Sequence, residues 1–204
     1  MPTIVSWPAT DRSFVPREFR LTPHTPKSSF SGFFSGQSQT VSHLADRLLC
    51  SLVLPACEPL AAARREAFFL ELAATGNWVR LHHMQRAEPN GTLRGAPTLA
   101  AAAAIGARTV SVQGAVGATL LGGDVLGAVS GQLLLVGYDG AVANGSGVLT
   151  VPLVFGLRAA LSSASAITWQ RPAATFQLTN DSVSAIYGRA GWQAPLELNF
   201  REVW

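Results

Sequence analysis

Apolar and polar positions along this chain mostly alternate, and that alternation sets most of the expected elements. In "RLLCSLVL", residues 47–54, Leu48, Cys50, Leu52 and Leu54 fall on one face and Arg47, Leu49, Ser51 and Val53 on the other. This is the period-two pattern of a strand with one fully apolar side. The stretch from Gln37 to Pro55 is expected to form two strands, of which this is the second. Before it lie two short apolar patches, Ile4 to Trp7 and Phe14 to Leu21, then "TPHTPKSSFSGFFSGQSQT". Pro, Ser and Gly exclude a helix there, so this region reads as an extended arm or edge strand entering the fold.

Helical spacing is convincing in one place, "EPLAAARREAFFLELAATG". Pro59 suits a first turn, Ala, Leu, Glu and Arg are strong helix formers, and Gly76 is placed to end the segment, which predicts a helix over about 59–75. Ala61, Phe68 and Leu72 share one face, which is expected to cover a sheet. The strand "NWVRLHH" follows. The connection "MQRAEPNGTLRGAP" then supplies Pro89, Asn90-Gly91, Gly95 and Pro97, a turn-rich candidate boundary.

Beyond it the pattern shortens. Strands are expected at 108–113, 124–126, 132–138 and 148–154, separated by glycine-rich turns that include Asp139-Gly140 and Asn144-Gly145-Ser146-Gly147. The run Ala100 to Ala104 has helical propensity, yet Gly106 and the lack of a cap favour extended chain. Longer strands return at 175–178 and 195–203 and are expected to rejoin the first sheet. The expected fold class is therefore mainly β: a β-sandwich core with one α-helix and a small inserted β-barrel-like lobe. Residues 1–96 and 169–204 form the core and 97–168 the inserted domain.

Composition narrows the function classes. The chain has 204 residues, enough for one domain carrying an insertion or for two small ones. It is 48% hydrophobic, but its apolar runs are short and broken by Gly, so no membrane insertion is expected. Only 13% of residues are charged, a sparse complement that suits faces destined to become interfaces. The net charge of +3 is spread out, with Arg64-Arg65 the one adjacent basic pair, so at most non-specific contact with DNA is expected. The start "MPTIVSWPATDRSF" lacks the basic and apolar regions of a secretory signal. Cys50 and Cys57 read as two buried free thiols.

Reactive constellations are thin. His82 and His83 are adjacent in an expected strand and point to opposite faces, which prevents them from chelating one metal together. His43 and Asp46 lie close in sequence, but no Gly-x-Ser-x-Gly turn accompanies them. Glycines 114, 117, 122 and 123 miss the spacing of a phosphate cradle. Asp139, Asn144 and Ser146 offer oxygen atoms without the closing acidic residue of a calcium loop, so a hairpin turn is the better reading. Trp169, Trp192 and Trp204 are candidate sugar platforms, or core and interface anchors. No catalytic residue, cofactor or metal ligand is assigned, and the chain is not expected to be an enzyme.

One combination of segments is more specific. "SFSGFFSGQSQTV" is followed by a helix ending in Gly and an aromatic strand, then "IGARTVSVQG…LLGGDVLGAVSGQLLLVGYDGAVANGSGVLTVPLVFGLR", "RPAATFQLTND" and the terminal "PLELNFREVW". In this order the chain resembles the distal tail proteins of long-tailed bacteriophages. The most specific part is Leu121, Gly123-Asp124, Leu133-Leu134, Asp139-Gly140, Gly145, Gly147, Val151-Pro152 and Leu157-Arg158. "TLAAAAAIG" and "YGRAGWQAP" depart from that form. The resemblance implies a structural virion protein of the tail tip or baseplate, assembled in the host cytoplasm into a ring, typically of six copies. The ring would join the tail tube protein to the baseplate hub and to fibre or receptor-binding proteins, and the inserted lobe would project outward or pack on neighbours. Asp124 would then be a turn or capping residue. The alternative is a carbohydrate-binding β-sandwich module used in host adsorption, with Trp169 or Trp192 as its stacking surface.

Overall fold

A computed structural model describes residues 2–31, 37–42, 46–74, 76–180, 187–188 and 191–203. The fold is mainly β with one α-helix, as the alternation predicts. In chain order the elements are β1 (Ile4–Ser6), a 3-10 turn (Arg12–Phe14), β2 (Glu18–His24), β3 (Lys27–Ser31), β4 (Ser38–Ser42), β5 (Arg47–Leu54), α1 (Pro59–Ala74) and β6 (Trp78–His82). They continue through β7 (Thr98–Leu99), β8 (Thr109–Gln113), β9 (Thr119–Leu120), β10 (Val125–Ala128) and β11 (Leu133–Leu135). The last are β12 (Ala141–Val142), β13 (Val148–Pro152), β14 (Ile167–Thr168), β15 (Ala173–Leu178) and β16 (Leu196–Glu202).

The chain divides into two compact units. One comprises Met1–Thr22, Leu48–Gln85 and Ala173–Trp204, the other Pro23–Arg47 and Arg86–Pro172. The turn-rich stretch after residue 86 therefore belongs to the second unit.

The first unit is built on a six-stranded sheet in the order β1-β6-β15-β16-β5-β2. β5 shows why: Leu48, Cys50, Leu52 and Leu54 are all buried, while the intervening residues are half-buried. β16 lies antiparallel to it with Leu198 opposite Leu52 and Phe200 opposite Cys50, so the apolar face continues across the pair. The C-terminal strands thus rejoin the first sheet, as expected, and β15 pairs with both β16 and β6.

Above that face lies α1. Its buried stripe is Ala62, Arg65, Phe69 and Leu72, one residue out of phase with the expected Ala61 and Phe68 positions and shared only at Leu72. Phe68 is half-buried and still packs inward, edge-on to Trp7 at 5.8 Å and to Phe14 at 5.3 Å. Trp7 also meets Phe200 of the sheet at 6.3 Å and donates its indole N–H to the Phe14 carbonyl at 3.2 Å. This cluster locks the N-terminal segment between helix and sheet, each aromatic pair adding about 0.5–1.5 kcal/mol beyond its buried area.

In the second unit, sheets β11-β10-β14, β13-β8-β7 and β12-β9 surround one apolar core that includes Leu99, Val112, Leu120, Leu126, Leu134 and Leu149. Isolated bridges, Thr98 with Ala166 and Val136 with Leu153, join the sheets at their corners. The expected barrel-like lobe is corrected here: no closed barrel forms among the described residues. Its strands run only two to five residues, too short for a continuous tilted ladder. Ala100–Ala104 is not helical: the chain bends at Ala100 and Ala101 and forms an isolated bridge from Ala103 to Leu161. Gly140 shows why the turns require glycine: its φ of 65° lies in the left-handed region, and a Cβ there would run into the Leu120 carbonyl. β3 and β4 form a separate hairpin in which Phe30 and Val41 are exposed.

Candidate functional site

Among the described residues no three His, Cys, Asp or Glu side chains converge as a metal site would require. His82 ends β6 and the ring of the adjacent His83 lies 5.1 Å from the Phe19 ring. Asp46 is buried, whereas His43 lies outside the described residues. Asn144 makes the turn that its spacing suggests: its Oδ1 accepts the backbone N–H groups of Ser146 at 2.9 Å and Val148 at 3.0 Å, closing the connection into β13. Cys50 and Cys57 are free, buried thiols. Burial pushes the Cys50 pKa up to about 12 and also raises that of Cys57, a rise that Arg65 opposes, so neither is poised as a thiolate nucleophile.

Asp124 is the lobe's one fully enclosed carboxylate among the described residues, and it performs the capping role expected of it. Its Oδ1 accepts from the Asn90 N–H at 2.8 Å, and its Oδ2 from the N–H groups of Gly91 at 3.1 Å and Leu121 at 2.8 Å. Three backbone donors from two separate turns are thus satisfied by one side chain. A buried N–H left without such a partner costs about 1–3 kcal/mol. Gly91 must be glycine for this junction to close, because a Cβ would collide with the Thr119 carbonyl.

Arg65 is the counterpart that the sequence pattern does not reveal. It sits in the buried stripe of α1 with 0% exposure. Its guanidinium donates to the Pro55 carbonyl at 2.7 Å, to Gln193 Oε1 at 3.3 Å and to the Ser13 carbonyl. Burial lowers its pKa, while Cys57 and Asp11 oppose that shift. The Nε has no hydrogen-bond partner among the described residues. One cation therefore ties the N-terminal segment, the end of β5 and the approach to β16 to the helix. The adjacent Arg64-Arg65 pair was visible in the sequence, but nothing in its spacing says which of the two turns inward.

The tryptophans separate. Trp169 is half-buried, packs against the lobe core, donates Nε1–H to the Gly95 carbonyl at 2.8 Å, and carries the Arg94 guanidinium 4.9 Å from its ring centre. With core packing and a cation already on the ring, it is poorly placed as an open sugar platform. Trp192 is 53% exposed and Trp204 lies outside the described residues.

What remains at the surface is apolar area and open backbone. In the lobe, Tyr138 is 96% exposed and Val116, Val129 and Val142 are each exposed by about two thirds or more. In the first unit, Leu60 and Leu70 are exposed on α1 and Ile4 on β1. The six-stranded sheet ends in two unlike strands, the three-residue β1, parallel to β6, and the seven-residue β2 beside β5. Among the described residues no further strand pairs with either outer edge, so both leave backbone groups that another strand can pair with. No helix among the described residues is long and apolar enough to cross a membrane. Compared with known proteins, the chain matches no family model and no curated sequence.

Proposed function

We propose that this chain is a structural protein of a bacteriophage tail tip, a ring subunit that joins the tail tube to the hub and to fibre or receptor-binding proteins. The observation that carries the reading is the pair of different open edges on one sheet. A closed cyclic assembly needs two dissimilar, complementary faces on each subunit, and β1 and β2 are dissimilar in length and in pairing sense. The exposed apolar residues of the lobe add contact area of the kind assembly proteins present. The low charge fraction supports the same reading.

The test is assembly itself. Purified chain, alone and mixed with its tail tube protein, is expected to give annular particles by electron microscopy. Ile4→Lys places a charge on the β1 edge and is expected to abolish the rings while leaving the circular dichroism spectrum unchanged. Rings that persist in this variant would remove the β1 edge from the account, and a chain that remains monomeric under both conditions would remove the ring.

A further inference from the structure

The first unit carries a cleft of about 370 Å³ on the side of its sheet away from α1. Ser51 and Val53 of β5 and Glu197 of β16 line it, the residues that alternate with the buried positions of their strands. Arg17 to Arg20, at the start of β2, form one wall. The chain leaving β6 supplies the other: the His83 ring reaches Phe19, and Gln85 lines the cleft. β6 and β2 are separated by three strands in the sheet, so this segment crosses the open face to get there.

Glu18 and Arg20 flank Phe19 in β2 and point to the opposite face of the strand, so the charged side chains on the cleft's face are Arg17, whose backbone N–H donates to the Val53 carbonyl at 2.8 Å, and Glu197, which lies opposite Val53. Among the described residues neither forms an ion pair or a side-chain hydrogen bond. Donors and acceptors are thus available in similar number, with charges that cancel, beside the Ser51 hydroxyl and the Gln85 amide. An anion would meet the carboxylate and a cation the guanidinium. A hydroxyl group donates and accepts at once, so a polyol can satisfy both sets. Phe19 and Val53 supply the small apolar surface against which the C–H face of a sugar ring packs. The volume lies at the lower end of small-molecule sites, which run from about 300 to 1,000 Å³.

We infer that this cleft binds a neutral saccharide unit, held by Arg17 and Glu197 through hydroxyl hydrogen bonds over Phe19. The site lies within a single unit and does not depend on the ring reading. Isotope-labelled chain titrated with glucose, galactose, N-acetylglucosamine and lactose, followed by amide NMR shifts, tests it directly. The expected result is saturable shifts at Ser51, Val53 and Glu197 with at least one of these sugars. Glu197→Gln and Arg17→Gln are each expected to weaken that binding about tenfold with the unfolding midpoint unchanged. Silence at these amides with all four sugars overturns the inference, as does a response to glycine or acetate alone. Rings that form from a chain silent to sugar would leave the proposed function standing and remove only this site.

Discussion

Each of the two units encloses a charge that binds backbone groups; besides the buried Glu202, which accepts the Leu48 N–H at 2.9 Å, the helix-covered unit has one of the opposite sign to the lobe's. In the helix-covered unit it is a cation, Arg65, donating to the carbonyls of Pro55 and Ser13 and to Gln193. In the lobe it is an anion, Asp124, accepting from the N–H groups of Asn90, Gly91 and Leu121. Strand ends and turns leave backbone groups unpaired, and each unit meets that need with a side chain of the sign its orphans require. The long arginine reaches between segments far apart in sequence, whereas the short aspartate works only where glycine lets two turns close together. A helix packed on a sheet can bury a flexible cation. A unit of short strands and tight turns uses a compact anion and a glycine.

The largest effect is expected at the cation. Arg65→Leu keeps apolar volume in the stripe but strips three acceptors of their donor, and should lower the stability of the chain by about 3 kcal/mol or more in urea unfolding. Arg65→Lys keeps the charge without the forked geometry and should recover only part of it. A loss under 1 kcal/mol for the leucine variant would show the three contacts to be dispensable and the comparison one-sided.

Asp124→Ala is next, at about 2 kcal/mol, because the buried Gly91 N–H and the part-buried N–H groups of Asn90 and Leu121 lose their acceptor. Asp124→Asn retains one acceptor oxygen and should fall between it and the native chain. Hydrogen exchange at Asn90, Gly91 and Leu121 should accelerate in both variants, while amides of β5 and β16 stay protected. Equal acceleration in the two units would mean that the anion does not act locally.

How far such features could be read in advance depended on their range. The alternation in β5 was legible because each buried leucine lies two residues from the next, and α1 was legible from its helix formers and its proline and glycine ends. The buried face of α1 was not. A stripe chosen for hydrophobicity passes over Arg65, and the carbonyls that make its burial tolerable come from Ser13 and Gln193, far away along the chain. The two-residue strands β7, β9, β12 and β14 exist only through their partners and leave no periodic trace. Asp124 was legible as a turn residue, but its reach to Asn90 and Gly91 was not. The cleft escaped for the same reason, since β2, β5, β16 and the chain after β6 meet only in the folded sheet.

A smaller, pH-dependent effect belongs to the helix-covered unit alone. The Cys50 thiol ionises near 9.0 when unfolded and is pushed up to about 12 by burial in the folded chain. Below the unfolded value both states hold the proton and stability is flat. As pH rises between the two values only the unfolded state releases it, so stability falls. At pH 10 the loss relative to pH 8 should be about 1 kcal/mol, and Cys50→Ala should remove that component. The smallest effect is expected at the lobe surface. Tyr138→Ser should change stability by less than about 0.5 kcal/mol, because its side chain is almost wholly exposed, yet weaken any assembly that uses the lobe. A marked loss of stability would show that Tyr138 supports the lobe's fold instead of serving a neighbour.

The central claim, that two unlike sheet edges make this chain a ring subunit, is tested most directly by native mass spectrometry of the purified chain with and without its tail tube protein. The account predicts one closed cyclic oligomer, six copies by the family resemblance, that disappears in Ile4→Lys. A single monomeric mass under every condition would contradict it.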